Sequence, residues 1–377
     1  MATFNDPSLK YKIAINLIPG IGGVLAKKLI ESAGSPEKVF KSGKALLQKI
    51  PGIGKSLAEN ITNPGILEEA EREIEFISKY RIKALYYLDN DYPARLKECP
   101  DAPVILFVKG NSDQDCSRVV SIVGTRSASG YGLEFCRNLV SELAVRGHNP
   151  LIVSGLAYGI DICAHKAALD NGLQTVAVLA HGLSTIYPSA HRRVAEKICS
   201  QGALVTDFGS KTLPERGNFL KRNRIIAGLA DATIVIESSI KGGALITADL
   251  ANSYNRDVFA LPGRVTDKRS EGCNNLIKIN KAALIEKIED IEYIMGWPPG
   301  EKVHKNEIPE PANDLNNEEK TILHLLSDNN QLSADHISEY TKMGASRISC
   351  LLLNLEFKGY VASMPGKIYR LKFAGNI

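Results

Sequence analysis

Between residues 121 and 132 the chain reads SIVGTRSASGYG, and Arg126 is the residue there best equipped for chemistry. An apolar run closes on Gly124. Thr125, Arg126, Ser127 and Ser129 follow, and Gly130 and Gly132 open the next segment. A guanidinium grips a phosphate through two parallel hydrogen bonds. The hydroxyls add donors, and Gly124 lets the backbone approach. The spacing does not fit the G-x-G-x-x-G fingerprint of a dinucleotide site, because Arg126 stands where the second glycine belongs. The stretch reads as a turn for a phosphate monoester or diester. The plain alternative is a strand-to-helix turn with an exposed arginine.

Companion stretches favour the first reading. In SGLAYGIDICAH (154–165), Ser154 and Gly155 open another turn. Asp161 and His165 lie four apart and share a helix face. No nucleophile accompanies them, so Asp161 is read as capping or orienting His165 within the fold. From Lys211 to Arg224, in KTLPERGNFLKRNR, five basic residues and one acidic one surround Phe219. Cations interleaved with an aromatic suit a single nucleic-acid strand, with charges along the backbone and a base on the ring, each stack worth roughly 1–3 kcal/mol. The following NRIIAGLA places these arginines at the start of a buried helix, where anions are favoured. Lys241, Gly242 and Gly243 open another helix, and LPGRVTDKRSEG is again glycine- and base-rich. These turns predict one extended polyanion site. Its candidate residues are Gly124, Thr125, Arg126, Ser129, Ser154, Gly155, Arg216, Phe219, Lys221, Arg222, Asn223, Arg224, Lys241, Gly242 and Gly243. No catalytic residue and no metal ligand set is assigned.

Such turns need a scaffold. Residues 119–296 alternate short apolar runs (VVSIVG, LIVSG, TVAVLA, ALVTDF, ATIVIES, DVFALPG) with helical patterns. That alternation predicts a mostly parallel, doubly wound sheet covered on both faces, with ligands at the carboxyl ends of its strands. Residues 82–118 form a bridge with one strand, Val104–Val108. Residues 1–80 are helical and contain an echo: LIPGIGGVLAKKLI (17–30) is answered by KIPGIGKSLAENI (49–61). The pair resembles a tandem helix-hairpin-helix, or SAM-like, module, whose glycine turns offer backbone amides to a phosphate. Residues 298–317 carry four prolines and read as a linker. Residues 318–377 predict three helices and a hairpin, a winged helix, with Ser333 capping the second helix. Its third helix carries Arg347 and Lys358 but also Glu356, so protein contact and DNA contact are weighed equally there. The domain reading is thus 1–80, 81–297, linker 298–317, and 318–377.

Bulk properties add bounds. At 377 residues more than one domain is expected. A net charge of +4 is too small to imply nucleic acid without local clustering. Seven dispersed cysteines with no CxxC pair argue against a disulfide framework or a zinc site. No leader-like start and no membrane-length apolar run is seen, so a cytoplasmic location is expected.

Taken in order, SIVGTRSASGYG, SGLAYGIDICAH, IYPSAH, RGNFLKRNRIIAGLAD, GGALITADLA and FALPG resemble the DNA-processing protein A (DprA/Smf) family over residues 82–290. The helical and winged-helix flanks also occur in that family. The resemblance implies an extended Rossmann-like central domain that dimerises and binds single-stranded DNA with little sequence preference. It implies protection of incoming strands in natural transformation and loading of the RecA recombinase. Gly124, Thr125 and Arg126 match the family's phosphate-pocket turn, and no cofactor is implied. Three positions depart: Tyr158 where arginine is usual, His181 in AHGLS, and His191 where asparagine is common. A rival is a nucleotide phosphoribohydrolase, which the central domain resembles more distantly. Gly242, Gly243 and Thr247 echo its glycine-rich motif, but Asp249 replaces the catalytic glutamate at a different spacing. A protein-interaction scaffold is the second rival.

Overall fold

The computed structural model describes residues 6–298, 315–329, 332–364 and 367–371. The chain forms two compact units, Met1–Lys302 and Val303–Ile377. The expected linker lies almost wholly outside the described residues.

The first unit begins with helices α1 (Leu9–Leu17), α2 (Gly23–Ala33), α3 (Pro36–Lys41), α4 (Lys44–Leu47), α5 (Lys55–Ile61) and α6 (Gly65–Lys79). The two PGIG turns bring their halves together reciprocally. Gly20 and Gly52 both have positive φ, and a Cβ on either would meet Leu57 Cδ2 or Leu25 Cδ2 respectively at 2.9 Å. Each repeat therefore packs its leucine on the other's glycine. The start of α2 is covered: a Cβ on Gly23 would lie 2.4 Å from the Ala102 carbonyl. Residues 6–80 do not pack alone. Ile13, Ile15 and Ile77 share a core with Ile105 and Phe107 of the sheet. The buried carboxylate of Glu73 on α6 accepts from Ser210 N (3.0 Å) and Oγ (2.6 Å), and burial pushes its pKa up.

The sheet follows through β1 (Lys83–Tyr86), α7 (Ala94–Lys97), β2 (Ile105–Gly110), β3 (Val119–Gly124), α8 (Gly130–Val145), β4 (Leu151–Ser154), α9 (Ile160–Asp170) and β5 (Thr175–Val178). It continues through α10 (Arg192–Gln201), β6 (Ala203–Thr206), α11 (Arg216–Leu229), β7 (Ala232–Ile236), α12 (Gly243–Ser253), β8 (Asp257–Ala260), α13 (Glu271–Lys278), β9 (Ala283–Leu284) and α14 (Ile288–Ile294). Nine strands run in the order β1-β2-β6-β5-β4-β3-β7-β8-β9. From β6 to β9 every pairing is parallel. The bridge contributes more than its one expected strand. β1 pairs antiparallel with β2 (Lys83↔Val108), and β2 pairs antiparallel with β6 (Phe107↔Thr206). Alternate residues of β3 enter different cores: Val119 and Val123 face one side, Val120 and Ile122 the other. Burial on both faces explains the unbroken apolar runs. The strand order reverses between β3 and β7, where Gly124 pairs with Ile236. The switch point of an open α/β sheet is where ligands collect, and the 124–129 turn stands there.

At the far side of this unit, Glu292 on α14 is buried against Arg146 Nη1 (2.9 Å) and His148 Nε2 (2.7 Å). Arg118 donates to His148 Nδ1 at 3.0 Å and lies 5.0 Å from the Trp297 ring. Removing one member of a buried ionic network leaves its partners unpaired. Glu292→Ala is therefore expected to cost about 3 kcal/mol of stability in urea unfolding.

The second unit contains α15 (Asn317–Asp328), β10 (Leu332–Ser333), α16 (Ala334–Thr341), α17 (Ala345–Phe357), β11 (Val361–Met364) and β12 (Ile368–Leu371). Its three-stranded sheet has the order β10-β12-β11. This is the expected winged helix, with one short strand more. Ser333 caps α16 by accepting from His336 N at 3.2 Å. Ile322, Ile337, Leu352 and Leu355 form its core.

Candidate nucleic-acid interface

The turn after β3 and the turn after β4 are locked backbone to backbone. Thr125 N donates to the Glu237 carbonyl at 2.7 Å, and Ile160 N donates to the Thr125 carbonyl at 3.2 Å. A Cβ on Gly124 would lie 2.0 Å from the Ile236 carbonyl, and one on Gly159 (φ +75°) 2.2 Å from the Thr125 carbonyl. Only glycine fits at these two approaches. The rigid frame holds out Arg126, which is exposed. Its guanidinium lies 5.1 Å from the centre of the Phe219 ring on α11, and among the described residues it pairs with no carboxylate. Phe219 is thus already engaged by Arg126, and Tyr187 meets its edge at 5.9 Å.

Beneath the pair lies Arg222, 4% exposed. Its Nη1 donates to the carbonyls of Gly155 (2.7 Å) and Val178, and its Nε to Asn223 Oδ1 at 3.3 Å. A Cβ on Gly155 would fall 2.4 Å from that guanidinium. Burial pulls the Arg222 pKa down to about 10, while the Asp161 carboxylate works the other way. Asp161, itself buried and pushed up by desolvation, accepts from Ala157 N at 3.4 Å. Arg222 therefore faces inward rather than toward a neighbouring phosphate. Ser154 does likewise: it is fully buried and donates to the Ile122 carbonyl at 2.6 Å.

Three further assignments change place. Arg224, expected on a phosphate, pairs with the Asp207 carboxylate and donates to the Asp101 carbonyl. Ser129 caps α8, but its hydroxyl and amide both serve the Glu237 carboxylate. Asp161 does not orient His165, whose Nδ1 is 2.7 Å from Thr175 Oγ1. That hydroxyl spends its proton on the Ile152 carbonyl at 2.8 Å, so Nδ1 carries the hydrogen.

Arg216, Lys221, Lys241 and Gly243 are exposed, at or near the starts of α11 and α12. Asn223 Nδ2 ties the two helices by donating to the Gly243 carbonyl at 3.4 Å. Gly242 is half-buried and packs on Ser238. Arg269 was not among the candidates, although LPGRVTDKRSEG signalled it. It is exposed, and its Nε donates to the Ser127 carbonyl at 3.0 Å. Tyr187 was also missed as a site member, and Tyr158 entered only as a departure from the family pattern near the pocket. Tyr158 and Tyr187 are 49% and 43% exposed, and each is braced by a buried histidine. His191 Nδ1 donates to the Leu156 carbonyl at 2.8 Å and its ring meets Tyr158 at 4.8 Å. His181 Nε2 accepts from Tyr187 N at 3.2 Å. Two of the three departures, Tyr158 and His191, are thus in contact with each other.

In the second unit, Arg347 pairs with Glu318 and Lys358 with Glu319, while Leu353 and Phe357 of the same region are exposed. Among the described residues no helix is long and apolar enough to cross a membrane.

This architecture defines a Rossmann-like α/β protein with a helix-hairpin-helix module before the sheet and a winged helix after it. A family model described as DNA recombination-mediator protein A matches residues 83–295. Models for the DprA winged helix domain and for a SAM-like helix-hairpin-helix tandem match residues 307–367 and 15–63. Protein Smf of Synechocystis sp. is 32% identical over 96% of this chain and 98% of its own. DNA processing protein DprA of Streptococcus pneumoniae is 39% identical over 61% of this chain and 81% of its own. Among solved structures, DprA of S. pneumoniae superposes with a TM-score of 0.63 at 33% identity, covering 75% of this chain and 97% of its own. DNA processing protein A of Helicobacter pylori, whose structure is described in terms of a single-stranded DNA binding mode, gives a TM-score of 0.52 at 30% identity, over 58% and 97% of the two chains. The chain belongs to the DprA/Smf family.

The buried histidine under this edge gives a pH signature. Burial first, then Arg222 and His191, hold His165 down to about 3 from 6.5. The folded pKa is the lower one, so between these values the unfolded chain binds more protons and stability falls as pH drops. His165→Asn, which keeps a donor for Thr175, should remove a slope of about 1.4 kcal/mol per pH unit from the unfolding free energy measured in urea below pH ~6.5.

Proposed function

We propose that this chain binds single-stranded DNA along the carboxyl edge of its sheet, without performing chemistry on it. The observation that carries the reading is Arg126: an exposed guanidinium, without a carboxylate partner among the described residues, fixed over an aromatic ring at the topological switch point. Arg126 grips one phosphate, and Arg216, Lys241 and Arg269 track its neighbours. Bases stack on the open faces of Tyr158 and Tyr187, because Phe219 is engaged in holding Arg126. A duplex keeps its bases inside and offers nothing to those rings, so it binds more weakly. The H. pylori relative described as binding single-stranded DNA supports the same reading.

Binding without catalysis is supported by the use of nearby acids and bases. Asp161, His165 and Glu237 are each committed to the fold. Asp249, the position weighed for hydrolysis, pairs with Lys281 at 2.7 Å. Membership of the family further suggests protection of incoming strands in the cytoplasm, loading of a RecA recombinase, and action as a homodimer. For the winged helix, the paired Arg347 and Lys358 and the exposed Leu353 and Phe357 favour a protein contact over DNA.

The test is fluorescence anisotropy with a labelled single strand and a duplex of equal length, over a salt series. Arg126→Ala should weaken single-strand binding about tenfold to a hundredfold. It should also reduce the salt slope by about 0.7, the share of one phosphate contact. Equal, weak binding by both proteins would reject the reading.

A further inference from the structure

Glu237 follows the last residue of β7 and is only 1% exposed. Its carboxylate does not point to solvent or to a cation on its own strand. It reaches the start of α8, where it accepts from Ser129 N at 2.8 Å and from Ser129 Oγ. The same hydroxyl accepts from Gly132 N at 3.3 Å, closing the first turn around the acid. A Cβ on Gly132 would sit 2.6 Å from Glu237 Oε2, so that helix position has room for the carboxylate only because it is bare. Glu237 also adopts a left-handed φ of +53°, a conformation that costs a glutamate and suits glycine or asparagine. A strained backbone and a buried charge are both unfavourable unless the contact they create compensates.

The place of that contact matters. In a doubly wound sheet the start of the helix after the first parallel strand is where a small phosphate rests, on free amides and the positive end of the helix. Here an acid of the chain itself lies against that first turn, held on the amide and hydroxyl of its cap residue Ser129.

We propose that Glu237 is a specificity-determining residue: its carboxylate fills the phosphate position at the start of α8 as an internal anion. It thereby excludes free phosphate and mononucleotides, and leaves the outward Arg126 to meet the phosphodiester of a polymer. The identity of the polymer rests on the single-strand reading above, while the exclusion of the monomer rests on the geometry alone.

The experiment is calorimetric titration of inorganic phosphate and of thymidine monophosphate into wild type, Glu237→Gly and Glu237→Asn. Both replacements accept the left-handed backbone and are too short and uncharged to fill the site, and circular dichroism melts establish which is folded. A folded variant should bind phosphate and the monophosphate on the order of tenfold more tightly than wild type, a gain that loss of a merely structural pin would not produce. A folded variant with wild-type affinity for both would overturn the proposal. So would a wild-type chain that binds thymidine monophosphate as tightly as an oligothymidylate, whatever the variants do. Failure of oligothymidylate to bind wild type would remove the single-strand reading and leave the phosphate comparison between wild type and variants intact.

Discussion

A guanidinium buried in a protein interior is costly unless its donors are satisfied and a counter-charge lies near. At the carboxyl ends of β4 and β5, Arg222 places its Nη1 and Nε on acceptors and has a counter-charge near. Its donors reach the Gly155 and Val178 carbonyls, and Asp161 supplies the opposing charge. The residue thus ties α11 to two strands at once. Everything exposed at this edge is built on that tie: the 155–159 turn, the first turns of α11 carrying Phe219, and through Phe219 the orientation of Arg126. Gly155 is bare because the guanidinium takes the space a side chain would need.

The edge therefore has two layers of different character. Below are Arg222, Arg224, Asp161, His165, His181, His191 and Glu237, which make their contacts within the fold; among the described residues His165 Nε2 is buried without a partner. Above are Arg126, Arg216, Lys241, Arg269 and two half-exposed tyrosines. The lower layer fixes geometry and the upper layer is left for a ligand. Arg126 and Arg222 both lie close to Phe219, at 5.1 and 5.9 Å from its centre, yet only Arg126 is open to solvent. Mutual repulsion between the two cations adds to the pull on Arg222. A bound phosphate would relieve it, which links ligand charge to the buried frame.

Much of this was legible in the residues. The interrupted glycine pattern around Arg126 ruled out a dinucleotide fingerprint, and the β–α alternation predicted a mostly parallel sheet with ligands at the carboxyl ends of its strands; the switch point itself came from the strand order. The starts of α8 and α12 at Gly130 and Gly243 follow from glycine and serine punctuation. What failed was the choice among arginines of α11. The helix is basic on several faces, so periodicity cannot say which cation turns inward. Their partners are remote: Gly155 and Val178 for Arg222, Asp101 and Asp207 for Arg224. Ser129 was misjudged for the same reason, since the acid that claims it lies 108 positions away. The antiparallel β1 was missed because a four-residue run beside turn residues carries little pattern of its own. Across the boundary expected at residue 80 the core is continuous, Ile13 and Ile77 packing with Ile105 and Phe107.

The central claim is that a single strand lies along the carboxyl edge of the sheet. Photo-cross-linking with a strand carrying a reactive thymine analogue, followed by mass-spectrometric mapping of the adducts, tests it directly. The account predicts adducts at Tyr158, Tyr187 and the first turns of α11. Adducts confined to the winged helix or to the turn before α5, with none on the sheet edge, would contradict it.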